Sequence, residues 1–500
     1  MTSPISSSAV SVVALDLGAE SGRAVRGQFD GERLHIDLLH RFPNRPARLP
    51  DGLHWDVLAL YAGMLDGLAQ AQAQSGQVHS VGVDTWGVDF ALLGRDGTLV
   101  GLPYHYRDRR TEGMLDMAVA RVGREAIFQA TGIQFLGFNT LYQLLAMRQT
   151  RAVALNVAHR LLMIPDLFNF WLSGAQGSEW TIASTSQMCD ARTADWNGDL
   201  LTQLDLPTDI LPPILPPGAV LGPLRPEAQQ ATGLGGEVQV IAPACHDTGA
   251  AVVGVPLAGP RSAYISSGTW SLVGAETAAP VLTDAALAAN LTNEGGVDGT
   301  TRLLKNISGL WLVQECQRAW ARQGHAWSYA QLAQMAAEAP PFGPLVNPNH
   351  PDLLAPSDMP TALRHYCQRT GQAVPSTEGA LMRTCLESLA LAYRHTLAQI
   401  ESVLGFTFEQ VHIVGGGSQH TLLCQLTADA GGKPVLAGPV EATAIGNLVV
   451  QLRSLGHLGS LAEGRDLVRR SFAVTTYEPR PDPRWDEAYA RFIRLSETPS

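Results

Sequence analysis

The chain has no C-x-x-C pair, no Walker A loop and no G-x-G-x-x-G turn. The commonest redox, P-loop and dinucleotide-binding signatures are therefore absent. No apolar run reaches the roughly 18 residues of a spanning helix, which argues against a membrane span. No basic face is evident, and the net charge of −11 speaks against a nucleic-acid binder. The Ser-rich start lacks the basic segment of a signal peptide, so residues 1–11 read as a short disordered tail. Heptads and low-complexity segments are missing too. The six cysteines are Cys189, Cys245, Cys316, Cys367, Cys385 and Cys424, and none has zinc-like spacing with histidine. They read as inert thiols in a reducing, cytoplasmic setting. Cys367 and Cys385 flank a loop and could pair in principle.

What the chain does have is a pair of look-alike segments. Val12-Val13-Ala14-Leu15-Asp16-Leu17-Gly18 runs through Ala19-Glu20-Ser21-Gly22-Arg23 into Ala24-Val25-Arg26-Gly27. Ser262-Ala263-Tyr264-Ile265 runs through Ser266-Ser267-Gly268-Thr269 into Trp270-Ser271-Leu272-Val273-Gly274. Both read as strand, small-residue turn, strand. A second pair follows, 78–84 and 411–417, each an apolar strand. At 500 residues the chain is too long for one core. Two related α/β domains, with largely buried sheets, are the expectation.

Local signals fill in the plan. Asp30-Gly31 marks a hairpin between strands. Helical spacing of Leu58, Tyr61, Leu65 and Leu68 predicts a helix over 57–73, and 378–404 predicts a longer one. A strand is expected over 88–93, a helix starting at Pro165-Asp166, and another over 419–430. Five prolines between 212 and 223 indicate a rigid irregular stretch. The domain junction is placed near 245: a tail over 1–11, domains over 12–244 and 245–480, and a C-terminal helix or tail over 481–500.

Several residues have chemistry to offer. Asp16 ends an apolar strand, where a carboxylate can hold hydrated Mg²⁺. The turns at 19–23 and 267–269 can point backbone N–H groups at phosphates. Gly415-Gly416-Gly417 permits close approach of a ligand, or makes a tight strand-to-helix connection. Asp247 follows a buried-type strand: it is a helix cap or a general base. Asp84-Thr85-Trp86-Gly87-Val88-Asp89 brackets an indole with carboxylates, as a sugar site would or as a buried Trp with turn-stabilising Asp side chains would. The stretch 104–110 mixes aromatic and charged groups, lining a polar pocket or forming a solvated Arg–Asp network.

Together these blocks resemble the FGGY family of carbohydrate kinases. The matching stretches include Asp16-Leu17-Gly18-Ala19, Ser21-Gly22-Arg23, DTWGVDF from Asp84 to Phe90, His246-Asp247-Thr248, SSGTWSL from Ser266, Lys305-Asn306-Ile307 with Gly309-Leu310-Trp311, and VGGG from Val414. The resemblance runs along nearly the whole chain in order. It implies two actin-like (ribonuclease H-like) domains flanking a cleft that takes ATP and a small sugar. It makes Asp247 the catalytic base. It assigns Ala19, Glu20, Ser21, Gly22, Arg23, Thr269, Gln314 and Gly416 to the nucleotide. Gly87, His246, Asp247, Thr248 and Asn306 would touch the sugar, and Asp16 would support Mg²⁺ through water. Within the family the blocks point to L-rhamnulose as acceptor at its 1-hydroxyl, with L-fuculose or L-xylulose as alternatives. A non-catalytic sugar sensor or an actin-like ATPase scaffold is the reading from another class. Glu20 departs from the family pattern, where many relatives carry Ser.

Overall fold

The computed structural model describes residues 9–75 and 77–497. Residues 1–8 of the expected tail lie outside that range, and Val10 already begins a strand. Residues 498–500 of the expected C-terminal segment lie outside it too, while Arg484–Glu497 is helical. The chain is α/β and divides into two compact units. Unit 1 takes Met1–Pro256, Glu276–Leu303 and Ala442–Phe472, and unit 2 takes Leu257–Ala275, Leu304–Glu441 and Ala473–Ser500.

Unit 1 is built on six strands: β1 (Val10–Leu17), β2 (Ser21–Phe29), β3 (Leu34–Pro43), β4 (Ser80–Thr85), β5 (Ala219–Pro223) and β6 (Gln239–Ala242). Their spatial order is β5-β6-β4-β1-β2-β3. β1, β4 and β6 are parallel, while β2 and β3 continue the sheet antiparallel. The Asp30 carboxylate accepts the backbone N–H of Glu32 and Arg33 at the expected hairpin. The apolar run of β1 has no polar alternation because both its faces are covered. Val13, Leu15 and Leu17 pack with Leu60, Met64 and Leu68 of the helix Val57–Ser75. Val12 and Ala14 pack on the other side with Ile445, Leu448 and Val449 of the helix Ala442–Ser454. Each fully buried Leu or Val contributes about 1.5–3 kcal/mol.

Unit 2 repeats the plan. Six strands of its seven-stranded sheet are β7 (Ser262–Ser267), β8 (Trp270–Thr277), β9 (Thr301–Ser308), β10 (Gln410–Val414), β11 (Val435–Ala437) and β12 (Thr475–Tyr477), running β9-β8-β7-β10-β11-β12. β8 is antiparallel to β7, β10 and β11 are parallel to it, and β12 is antiparallel to β11. The look-alike segments in the sequence are thus equivalent strands of two sheets with one topology. The long helix Glu378–Leu404 starts on a Thr377 side-chain cap, as its spacing predicts.

Two expectations shift locally. The strand expected from Val88 begins at Phe90, because Val88 adopts a left-handed φ of 67°, a costly conformation for a β-branched residue. The helix after the glycines begins at Thr421, with a short 3-10 turn over Gly416–Gln419 before it. Among the described residues no helix is long and apolar enough to cross a membrane. All six cysteines are buried and free.

In unit 1 the helices Asp247–Val253 and Ala442–Ser454 meet at glycines. A methyl group on Gly446 would run into the Ala250 carbonyl oxygen, and one on Gly254 into that of Ala442. Neither obstacle is a flexible side chain, so the helices would have to separate. Gly446→Ala should therefore lower stability by about 1–3 kcal/mol, measured by urea unfolding.

Candidate active site

The parallel strands of unit 1 share one carboxyl edge, and that edge collects acids. Asp16 on β1 lies directly opposite Asp84 on β4 in the strand register. Asp247 follows β6, beyond a bridge between Thr85 and His246. Each carboxylate has its own compensation. Arg23 grips Asp16 Oδ2 with Nη2 at 2.7 Å and Nε at 2.9 Å. Asn447 donates to Asp84 Oδ2 at 2.6 Å, while Asp84 Oδ1 is buried without a hydrogen-bond partner. Burial and the neighbouring Asp16 push the Asp84 carboxyl well above the ordinary range. Asp247 accepts the N–H of Thr248 at 2.5 Å and its hydroxyl at 3.1 Å. Burial raises its carboxyl, His246 opposes this, and Asp16 adds to it. The Asp247 side chain remains 31% exposed, so the group has both an upward-shifted affinity for protons and access to a ligand.

The cap position of the helix is taken by His246, and Asp247 is its first residue. The loop that delivers them is strapped from below. Glu179 accepts the N–H groups of Thr181 (2.9 Å), Ile182 (3.2 Å) and Cys245 (3.0 Å) and the Thr181 hydroxyl (2.6 Å). Thr181 Oγ1 in turn accepts the N–H of His246 at 3.1 Å. Burial holds the Glu179 carboxyl up at about 7 in spite of these donors. Gly87 lies against His246: a Cβ there would come within 3.3 Å of Nε2.

The DTWGVDF block divides between edge and core. Asp89 is the hub of a buried network, accepting from Trp55 Nε1 (2.6 Å), Trp86 Nε1 (3.0 Å), Tyr106 N (3.1 Å) and Gln143 Nε2 (2.8 Å). It is occupied by protein donors and is a fold-supporting group, as the turn-stabilising alternative had it. Arg110 donates to Gln143 at 2.6 Å and stacks over the Tyr104 ring, and burial lowers it to about 10.

Unit 2 builds its turn differently. Ser267-Gly268-Thr269 is stapled to the 309–311 segment: Leu310 N donates to Gly268 O at 2.9 Å and Gly309 N to Thr269 O at 3.0 Å. A Cβ on Gly309 would fall 2.7 Å from Gly268 O and 2.6 Å from Ser271 Oγ, which explains why the motif demands glycine there. From the other side Gly415, with φ 77°, and Gly417 press on Ser267. The helix Trp311–Arg322 leads from this staple and carries Gln314 into a cavity of about 810 Å³. Leu310, Val313, Ala333 and Leu422 give it apolar walls, and Gly416, Gln419 and Gln425 line it too. Gln314 Oε1 is buried there without a hydrogen-bond partner. An apolar cavity with one unmet acceptor suits a flat heterocycle that carries an N–H donor.

Of the predicted residues, unit 1 brings Asp16, Arg23, Gly87, His246, Asp247 and Thr248 to one edge. Gly18 to Glu20 form the turn, with Glu20 exposed and its carbonyl accepting the N–H of Asn44 at 3.0 Å. Ser21 to Arg23 belong to β2. Unit 2 brings Thr269, Gln314 and Gly416 to one neighbourhood, and Asn306 lies half-buried on β9. Sequence reasoning missed Glu179, Thr181, Glu294, Arg302 and Asn447. The acidic and basic residues among them, Glu179, Glu294 and Arg302, are buried and sit on the strands Ser178–Glu179, Thr292–Gly295 and β9, where no motif in the sequence marked them.

The N-terminal domain of the FGGY family of carbohydrate kinases matches residues 11–254, and the C-terminal domain of that family matches residues 263–455. The chain belongs to the FGGY family of carbohydrate kinases. It is 43% identical to a rhamnulokinase of Bacteroides thetaiotaomicron over 96% of this chain and 98% of the relative. It is 44% identical to a rhamnulokinase of Pectobacterium carotovorum, over 97% and 96%. Among solved structures, a glycerol kinase of Plasmodium falciparum with ADP shares the fold at a TM-score of 0.79, 13% identity and coverage of 98% and 99%. A gluconate kinase of Lactobacillus acidophilus does so at 0.79 and 15%, over 98% and 97%.

The Asp89 hub carries a pH signature. Burial raises its carboxyl to about 6, so the folded protein keeps this proton to higher pH than the unfolded chain. This group's contribution is fully favourable below the ordinary aspartate range and is lost as pH rises towards about 6. The loss amounts to up to roughly 3 kcal/mol. Asp89→Asn should remove that component, seen as a flatter stability curve between about pH 4 and 6 in urea titrations.

Proposed function

We propose that this carbohydrate kinase transfers the γ-phosphoryl group of ATP to the 1-hydroxyl of L-rhamnulose. The observation that carries the choice of sugar is identity of 43–44% over nearly the full length of two rhamnulokinases. The chemistry rests on Asp247. Its carboxylate would take the proton of the C1 hydroxyl as that oxygen forms a bond to the γ-phosphorus. The bond from that phosphorus to the β-phosphate bridging oxygen breaks, and ADP leaves. Gly87, His246, Thr248 and Asn306 are proposed to hold the sugar, consistent with Gly87 lying against the His246 ring.

Unit 2 is proposed as the nucleotide side. The base would enter the cavity beside Gly416 and give its exocyclic N–H to Gln314 Oε1, an acceptor otherwise left unmet. The turns at Ala19, Glu20, Ser21, Gly22 and Arg23 and at Thr269 would bind phosphates with their backbone N–H groups. Arg23 would act mainly through Asp16, with which it pairs.

Mg²⁺ fits this arrangement as a hydrated ion. Among the described residues no three His, Cys, Asp or Glu side chains converge on a metal position. A single strand-end carboxylate, Asp16, is the kind of support an ion keeping most of its waters needs. When bound with the phosphates, such an ion neutralises their charge.

Two variants test the reading. Asp247→Asn should lose about 10²–10⁴ in kcat with nucleotide binding kept. Gln314→Leu should raise the KM for ATP about tenfold with kcat little changed, by loss of one hydrogen bond. The assay is ADP release across L-rhamnulose, L-fuculose, L-xylulose, D-xylulose and glycerol. Preference for a sugar other than L-rhamnulose would overturn the substrate assignment. Sugar-independent hydrolysis would favour an ATPase.

A further inference from the structure

We infer that Arg302, its charge matched by Glu294, acts as a tautomer lock on His246. It directs the proton of the neutral ring to Nε2, and so fixes the hydrogen bond that His246 offers to Asp247. The consequence for Asp247 rests on its reading as the base; the lock itself does not.

Arg302 is fully buried, which is rare for a guanidinium. Its Nε donates to the carbonyl of Gly295 at 2.8 Å and its Nη2 to that of Thr181 at 3.3 Å. Those two bonds fix the plane of the group. Its Nη1 then lies 3.0 Å from Glu294 Oε2 and 3.2 Å from His246 Nδ1. A guanidinium has only donors and does not give up its proton. The nitrogen it addresses must therefore present a lone pair, which leaves the ring proton on Nε2.

Nε2 points to Asp247 Oδ1, 3.4 Å away. The charged groups facing the ring are Arg302, Glu294 and Asp247. Glu294 Oε2 lies 3.3 Å from Nδ1 and, acting alone, would draw the proton to that nitrogen. Its charge is matched by Arg302, and a proton on Nδ1 would set two N–H groups against each other at 3.2 Å. The backbone of His246 is fixed independently by its N–H bond to Thr181 Oγ1. What the pair controls is ring chemistry, beyond loop position. An Nε2–H donor stabilises the ionised Asp247 carboxylate, the form that can accept a hydroxyl proton.

The test reads the tautomer directly. Full-length protein labelled with ¹⁵N-histidine gives long-range proton–nitrogen correlations that distinguish the two neutral tautomers and the cation. His246 is assigned by the signals lost in His246→Gln. The expected pattern for the neutral ring is Nε2–H. Arg302→Met should move the proton of the neutral ring to Nδ1. It should also lower kcat by about 10–100-fold with the KM for ATP held, as expected for a misdirected catalytic hydrogen bond. Glu294→Gln should keep the Nε2–H pattern, because Arg302 still addresses Nδ1. An Nδ1–H tautomer in the unaltered protein would overturn the lock, as would an unchanged tautomer in Arg302→Met. Should Arg302→Met fail to fold, the unaltered and Glu294→Gln spectra still decide. Normal turnover by Asp247→Asn would strike the base reading alone, since the spectra need no turnover.

Discussion

Like-charge crowding at the carboxyl edge of one parallel sheet is the constraint on which unit 1 depends. Parallel pairing aligns Asp16 with Asp84 and sends the chain from β6 to Asp247 at the same edge. Two unit charges 4 Å apart in a protein-like medium repel by about 4 kcal/mol. A domain's whole net stability is about 5–15 kcal/mol. Three free carboxylates could not be held there. Arg23 neutralises the first, and the second is driven towards its protonated form with Asn447 as donor. The third is left partly exposed among Thr248, His246 and the strap from Glu179. The arrangement leaves Asp247 the most exposed acid of the three.

The two sheets show one topology solving two problems. In unit 1 the strand-to-strand turn is governed by side-chain charge, with Arg23 folded back on Asp16. In unit 2 the equivalent turn is governed by backbone proximity, with Gly309, Gly415 and Gly417 admitting neighbours too close for any Cβ. The conserved element between the halves is the ladder of hydrogen bonds, and the chemistry of each turn is free to differ.

Much of this was legible locally. Apolar runs marked β1, β4, β7 and β10, and the repeat of strand, turn and strand announced two like sheets. Turn chemistry at Asp30-Gly31 and helical spacing over 378–404 needed only near neighbours. What stayed hidden was set by distant partners. Asp89 was open to two readings, sugar ligand or turn support, until Trp55 and Gln143, 34 and 54 residues away, took its oxygens. Val88 read as strand because its left-handed φ is imposed by its surroundings: its N–H reaches Thr185 and its carbonyl accepts from Thr140. Arg302 and Glu294 gave no motif at all. Their meaning lies in geometry around His246 that no spacing rule encodes.

Asn447 is 363 residues beyond Asp84. During synthesis the N-terminal portion emerges first, and closing so long a loop carries an entropic cost before any contact rewards it. The nascent unit 1 therefore waits with Asp84 lacking its Asn447 donor until the segment Ala442–Phe472 arrives. Nearly all of unit 2 has by then left the ribosome, so the later half of the protein has the chance to mature before the earlier half can. For this chain the order of translation and the order of completion run in opposite directions.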